Sequence, residues 1–313
     1  MNDARRGRVM LRRQLLEEGY NDKAIARLVQ DGTWVKLRHG AYTEAHTWGA
    51  LDHANRHALV TRAVVAQART PVVVSHTSGL PFYDAPTWGI DLSQVHVTRE
   101  DHKAGRQEAG VQQHSGVILP DDACRRDDLP VMAATRLGLE VTTVADAEAS
   151  LCVVSHLLHE RHTTPEALAA RYQQHMQQWP HTLSTDLVLR LADPRFESVG
   201  ECRTYYLCFR QGLPMPEPQY EIKDDNGRVV ARVDFAWPEL GVFLEFDGMV
   251  KYEKLLRDGE SASDVVVREK RRQDLICRLT GWQCIRIVWA DLFDPARTAA
   301  LIRSVLFPAD RAA

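Results

Sequence analysis

Asp234 and Glu245 stand eleven residues apart in a stretch that alternates apolar and polar residues. Each falls near the end of a predicted strand, 228–237 and 242–247, and a tight turn at 238–241 joins the two. Antiparallel neighbours joined in this way bring their ends within a few ångströms. Two carboxylates so close repel, and a sheet holds them together only with compensation. A hard divalent cation supplies it, because Mg²⁺ takes oxygen ligands from one or two carboxylates plus phosphate. Glu201, on the helix predicted before these strands, can add a third oxygen or position a metal-bound water. Lys251, shortly after Glu245, can hold or activate an attacking water or neutralise a phosphate. A cation held there would polarise a phosphoryl group and lower the pKa of bound water. The chemistry expected of Glu201, Asp234, Glu245 and Lys251 is therefore Mg²⁺-dependent phosphodiester hydrolysis, with Mn²⁺ able to substitute. Asp247 and Glu269 are further acidic candidates.

The elements that must position these groups read as α-β-β-β-α-β. A helix over 197–212 gives way to an extended linker, Leu213-Pro214-Met215-Pro216-Glu217-Pro218, which blocks helix continuation. A strand over 219–223, a turn at Asp225-Asn226-Gly227 and a strand over 228–237 form a hairpin. The strand over 242–247 follows, then a helix over 264–280 broken by Gly281, a strand over 283–289 and a closing helix over 295–306. The segment Arg268–Arg278 holds five basic and two acidic residues. Its Lys270, Arg271 and Arg272 lie beside the expected metal site, where they would grip phosphates, giving affinity without sequence information. The plain alternative is a solvated helix face.

Residues 1–40 carry nine Arg/Lys against five Asp/Glu. A short helix over 9–20 ends at Gly19, and Asn21 or Asp22 caps a second with Ile25, Leu28 and Val29 on one face. A strand over 34–38 turns at His39-Gly40 and starts back at Ala41. Two helices and a basic hairpin resemble a small winged helix-turn-helix, with Lys36 and Arg38 as DNA-contacting candidates. A dimerisation or docking module is the alternative. Residues 46–185 read as a middle α+β region: a helix over 50–70, strands at 71–75, 95–98, 111–114, 117–120 and 129–132, and helices over 145–160 and 165–179. No dense chemical cluster is expected there. The pairs His53/His57 and His156/His159 have helical spacing but no evident Cys or carboxylate partner, so they read as surface or core histidines. Ser75-His76-Thr77-Ser78-Gly79 lacks the G-x-S-x-G elbow of a serine nucleophile. Trp34, Trp88, Trp179 and Trp237 read as packing residues.

The 313 residues are enough for two or three compact units, and the division expected is 1–45, 46–185 and 186–313. Apolar residues at 44% and charged residues at 26% exclude a disordered chain, a collagen-like repeat and a coiled-coil rod. No apolar run approaches the roughly 18 residues of a membrane span, and no apolar signal core follows the first residues. Six scattered cysteines without C-x-x-C read as reduced thiols of a cytoplasmic protein. The net charge of −3 does not decide for or against nucleic acid; its local concentration does.

The runs Glu201-Cys202-Arg203, Gly212-Leu213-Pro214-x-Pro216, Arg232-Val233-Asp234-Phe235-Ala236-Trp237-Pro238, Leu244-Glu245-Phe246-Asp247-Gly248-x-x-Lys251-Tyr252, Glu269-Lys270-Arg271-Arg272-x-Asp274 and Gly281-Trp282-x-x-Ile285-Arg286 resemble one family. It comprises actinobacterial proteins whose C-terminal domain is similar to very-short-patch-repair endonucleases of the PD-(D/E)XK superfamily. The resemblance spans roughly residues 195–295. The start and middle resemble the AbiEi-type antitoxin and transcriptional-regulator domains that often precede such a domain. The resemblance implies an α+β multi-domain protein: an N-terminal winged helix-turn-helix, a middle α+β domain and a C-terminal restriction-endonuclease-like α/β domain. Asp234 then matches the motif aspartate, Glu245 the second acidic ligand, and Glu201 the acid of the preceding helix. The superfamily lysine stands two residues after the second acid, where this chain has Asp247. Repair-type relatives often carry His where it has Lys251. Lys251 is the first choice for the base or phosphate contact, with Lys270 and Arg272 as alternates. The function implied is a Mg²⁺-dependent DNA endonuclease serving repair, restriction or phage defence. The alternative is a non-catalytic AbiEi-like antitoxin or transcriptional regulator with a degenerate nuclease fold. DNA is the expected partner, with a homodimer or a toxin or defence protein as protein partners and no membrane.

Overall fold

The structure, a computed structural model, describes residues 7–101, 103–224, 226–248 and 262–308. Lys251 and the side chain of Glu269 lie outside the described residues. The chain is a mixed α+β protein with three sheets among the described residues, divided into two compact units, 1–192 and 193–313. No helix among the described residues is long and apolar enough to cross a membrane.

The first unit opens with strand β1 (Met10–Leu11), helix α1 (Arg12–Glu17), helix α2 (Asp22–Gln30) and strands β2 (Trp34–Arg38) and β3 (Ala41–Glu44). The strands pair in the order β1-β3-β2. Asn21 caps α2 by accepting from the Ala24 amide at 2.9 Å, as its residue type predicts. The helix expected over 9–20 starts later, because Met10 and Leu11 join the sheet instead. Both are 4% exposed, Met10 packing with Leu15, Ile25 and Trp34 and Leu11 with Ala41 and Ala63. A residue pair buried on two opposite sides suits a strand better than the first turn of an amphipathic helix.

Helices α3 (Ala45–Gly49) and α4 (His53–Gln67) lead into a six-stranded sheet of order β6-β7-β5-β4-β9-β8. Its strands are β4 (Val72–Val74), β5 (Val95–Arg99), β6 (Gln107–Glu108), β7 (Val111–His114), β8 (Ala123–Arg126) and β9 (Leu129–Met132). The strand expected over 117–120 is absent: Pro120, which has no amide to donate to a ladder, opens a 3₁₀ turn over Pro120–Asp122. Helices α5 (Ala134–Val141), α6 (Ala147–His159), α7 (Pro165–His175) and α8 (Thr185–Leu191) follow. Leu80, Val131, Leu137 and Leu157 are fully buried at the centre of this core.

The second unit has the expected order α-β-β-β-α-β. Helix α9 (Val199–Arg210) precedes strands β10 (Glu217–Lys223), β11 (Val229–Trp237) and β12 (Val242–Asp247). Helix α10 (Ala262–Thr280), strand β13 (Gln283–Val288) and helix α11 (Pro295–Leu306) complete it. The sheet order is β10-β11-β12-β13, antiparallel except for the parallel β12–β13 pair. Gly227 turns the hairpin at φ +76°, a conformation glycine adopts without strain. Gly200 lets α9 approach the sheet, since a Cβ there would lie 2.0 Å from the Phe246 ring.

Candidate functional site

The β11–β12 register pairs Phe235 with Leu244 and Ala236 with Phe243. Continued by one step, it sets Asp234 opposite Glu245, and opposed residues project from the same face of a sheet. The parallel β12–β13 register sets Glu245 beside Arg286 and Asp247 beside Val288. Asp234, Glu245, Asp247 and Arg286 thus share one face, while Phe235, Leu244 and Phe246 fill the other. Asp234 Oδ2 accepts from the Phe246 amide at 2.8 Å, which ties the aspartate to the strand carrying Glu245.

Glu245 is mostly buried. Burial pushes its carboxyl above the ordinary value; Arg272 of α10 and Arg286 draw it back, and the nearby Asp234 charge raises it. Glu245 Oε1 pairs with Arg272 Nη2, and Oε2 lies 3.7 Å from Arg286 Nη2. Arg286 also reaches Asp247 at 3.4 Å and Gln273 at 3.1 Å. Two guanidinium groups therefore offset part of the charge of the acidic face, and Arg272, expected among phosphate contacts, stands on Glu245. Its neighbours Lys270 and Arg271 lie on the same helix, with Lys270 exposed.

Glu201 sits in the first turn of α9 and is 1% exposed. Its Oε1 accepts from Ser198 Oγ at 2.7 Å, and its Oε2 accepts from the Glu197 amide at 3.0 Å and Gln219 Nε2 at 2.7 Å. Ser198 Oγ in turn accepts from the Glu201 amide, so the pair closes a helix N-terminus. Gln219 stands on β10 between Pro218, paired with Phe235, and Tyr220, paired with Val233, hence across from Asp234. It links Glu201 to the strand neighbouring Asp234. Glu201, Asp234 and Glu245 do not bring one oxygen each within 4.8 Å of one another. The donor set is all oxygen, which fits a hard divalent cation at Asp234 and Glu245. Glu201 is committed to its cap and to Gln219.

In the first unit Lys36 is exposed on β2, and Arg38 lines a groove of about 920 Å³ with Arg12, Arg13, Arg69, Arg99 and Arg106. Three of these arginines have acidic partners: Arg12 with Asp22, Arg99 with Asp101 and Arg106 with Glu108.

The middle region does contain a dense cluster, contrary to expectation. His76, His96 and His114 each place a ring nitrogen within 4.8 Å of the others. They come from three adjacent strands: His76 follows β4, His96 lies on β5 and His114 ends β7. The alternation of Val95-His96-Val97-Thr98 and Val111-Gln112-Gln113-His114 carried the signal, but only strand order reveals that the histidines meet. His57 is a core histidine, hydrogen-bonded to Ser78 Oγ at 2.8 Å and lowered by burial to about 4.

No family model matches the chain. Two curated relatives, each called an uncharacterized protein of Mycobacterium tuberculosis and from different strains, are 33% identical to it over 116 residues. That stretch is 37% of this chain, and the chain spans 39% of the length of these relatives.

Proposed function

We propose that the protein is a divalent-cation-dependent DNA endonuclease whose second unit hydrolyses phosphodiester bonds and whose first unit contributes DNA contacts. The observation that carries this reading is the opposition of Asp234 and Glu245 on one sheet face, with the Asp234 carboxylate tied to the Phe246 amide. Asp234 and Glu245 are the residues that would hold Mg²⁺ or Mn²⁺, and Asp247 stands beside them. The bound cation would polarise the phosphoryl group. Arg272 and Arg286 hold Glu245 until substrate arrives and then serve as phosphate partners, because a guanidinium binds carboxylate and phosphate with the same fork. Gln219 and the Ser198–Glu201 cap fix the start of α9 against the strand beside Asp234, so Glu201 acts by positioning. Lys251, outside the described residues, stays the proposed base or phosphate contact. The opening helices and sheet act as a winged helix-turn-helix, and the arginine groove of the first unit extends its phosphate-binding surface.

A second reading rests on the Arg272–Glu245 pair. A guanidinium already compensates the glutamate, which suits a DNA-binding regulator with a nuclease-like fold and no turnover. Incubation of supercoiled plasmid with the full-length protein in Mg²⁺, Mn²⁺ or EDTA, beside a gel shift in EDTA, separates the two. Metal-dependent nicking supports the endonuclease, and binding without nicking supports the regulator.

A further inference from the structure

The histidine cluster of the first unit is remote in sequence from the carboxylate face and uses a different donor chemistry. We propose that His76, His96 and His114 form a transition-metal site of the Zn²⁺ class, independent of the endonuclease reading. Imidazole nitrogen suits Zn²⁺ and its neighbours in the first transition row, whereas Mg²⁺ prefers oxygen.

One nitrogen pair of the cluster is already near the spacing of a ligand set. His96 Nδ1 and His114 Nε2 are 2.9 Å apart. Tetrahedral Zn²⁺, with bonds of about 2.0–2.1 Å, spaces its nitrogen ligands about 3.3 Å apart. The separation is close to that spacing. The His76 ring stacks on that of His114 at 3.7 Å with the planes 14° apart, so the rings must turn about their Cβ–Cγ bonds before their in-plane lone pairs meet at one ion. The parallel β5–β7 register pairs Thr98 with His114, so His96 and His114 project from the same face of the sheet.

His76 is built in at some cost. Its backbone is left-handed, at φ +51°, and its amide donates to Glu140 Oε2 at 3.0 Å. Its Nδ1 lies 3.0 Å from Ser75 Oγ and 3.6 Å from the same carboxylate oxygen, which leaves Nε2 for an ion. A carboxylate or hydroxyl on the far nitrogen is what orients a metal-bound histidine. Glu140 is itself fully buried and paired with Arg136 at 2.8 Å. Burial lowers the pKa of all three rings, keeping them neutral and able to donate a lone pair.

A cavity of about 540 Å³ borders His76 and His114 and gives an ion an open coordination position. Two polar atoms of its lining residues, Thr98 Oγ1 and Arg171 Nη1, are buried without a hydrogen-bond partner among the described residues. Buried polar atoms left unpaired are costly, so this cavity is suited to a polar occupant.

The test uses untagged, full-length, demetallated protein dialysed against Zn²⁺. We expect one zinc per chain, reduced at least tenfold in the H96Q/H114Q double variant and retained in Glu245→Gln. X-ray absorption of the zinc-loaded wild type should show three imidazole nitrogens at about 2.0 Å and no sulfur. This second readout decides the matter even if the double variant does not fold. Failure to retain zinc, equal retention by the folded double variant, or sulfur around the ion, from cysteine side chains, would overturn the site. Loss of plasmid nicking would not bear on it.

Discussion

Glu245 is a buried acid beside a second acid, and Arg272 is what makes its charge tolerable. Glu245 has a folded pKa above the 4.5 of the free side chain, so its ionisation subtracts stability as pH rises past that value. Removing Arg272 enlarges that penalty. The R272Q variant should lose about 1 kcal/mol at neutral pH, a modest amount because the arginine side chain is 36% exposed. The loss should vanish at low pH, where Glu245 is protonated, and Glu245→Gln in the same chain should restore stability. Urea unfolding of the four proteins in the cycle measures it. His57 makes the opposite demand. Its folded pKa of about 4 lies below the ordinary 6.5, so between these values the unfolded chain binds more protons. Its contribution is fully present above pH 6.5 and disappears as pH falls through 4, about 3 kcal/mol in all. Unfolding from pH 7 to 4 should show a shallower fall in stability for His57→Gln than for the wild type. The pairing of Asp234 with Glu245 was legible in sequence because one tight turn joins their strands. The histidine cluster was not, since residues 76, 96 and 114 meet only through a strand order with parallel neighbours.

Elements with a clear period were legible, and elements buried all round were not. Strand β12 and helix α11 have the predicted bounds, Val242–Asp247 and Pro295–Leu306. Helix α5 was hidden because all but one of its eight residues are buried, Arg136 and Glu140 included, so no polar stripe marks it. Those two charges sit inside because each is paired, Arg136 with both Glu140 and Asp122. In the second unit the contact of α9 with β12 depends on Gly200. Alanine is the better helix former, yet Gly200→Ala should destabilise by about 1–3 kcal/mol through overpacking. The Phe246 ring cannot swing aside, being 3% exposed and edge-on to Trp289 at 5.3 Å. Phe246→Leu in the same chain should recover part of the loss, and urea midpoints decide. A stabilised Gly200→Ala protein would mean that α9 does not press on β12 as described.

At the scale of the whole molecule, cleavage is assigned to the carboxylates of the second unit and DNA grip to Lys and Arg side chains of both units, so they should fail separately. Lys36 and Arg38 were proposed as DNA contacts, and replacing both by Gln should flatten the log–log dependence of DNA affinity on salt by about 0.9 per lost phosphate contact. An unchanged slope would move the first unit from DNA binding to docking. This substitution is cleaner than deletion of residues 1–45, because Leu11 and Ala41 pack with Ala63 of α4. The most direct test of the central claim is plasmid nicking in Mg²⁺ and gel shift on the same preparations of wild type, Asp234→Asn and Glu245→Gln. These isosteric changes keep a carbonyl oxygen in place and remove the charge that would hold the cation. The account predicts nicking by the wild type, a loss of at least a hundredfold in either variant, and DNA affinity within a fewfold of wild type. Nicking by both variants at the wild-type rate would contradict it.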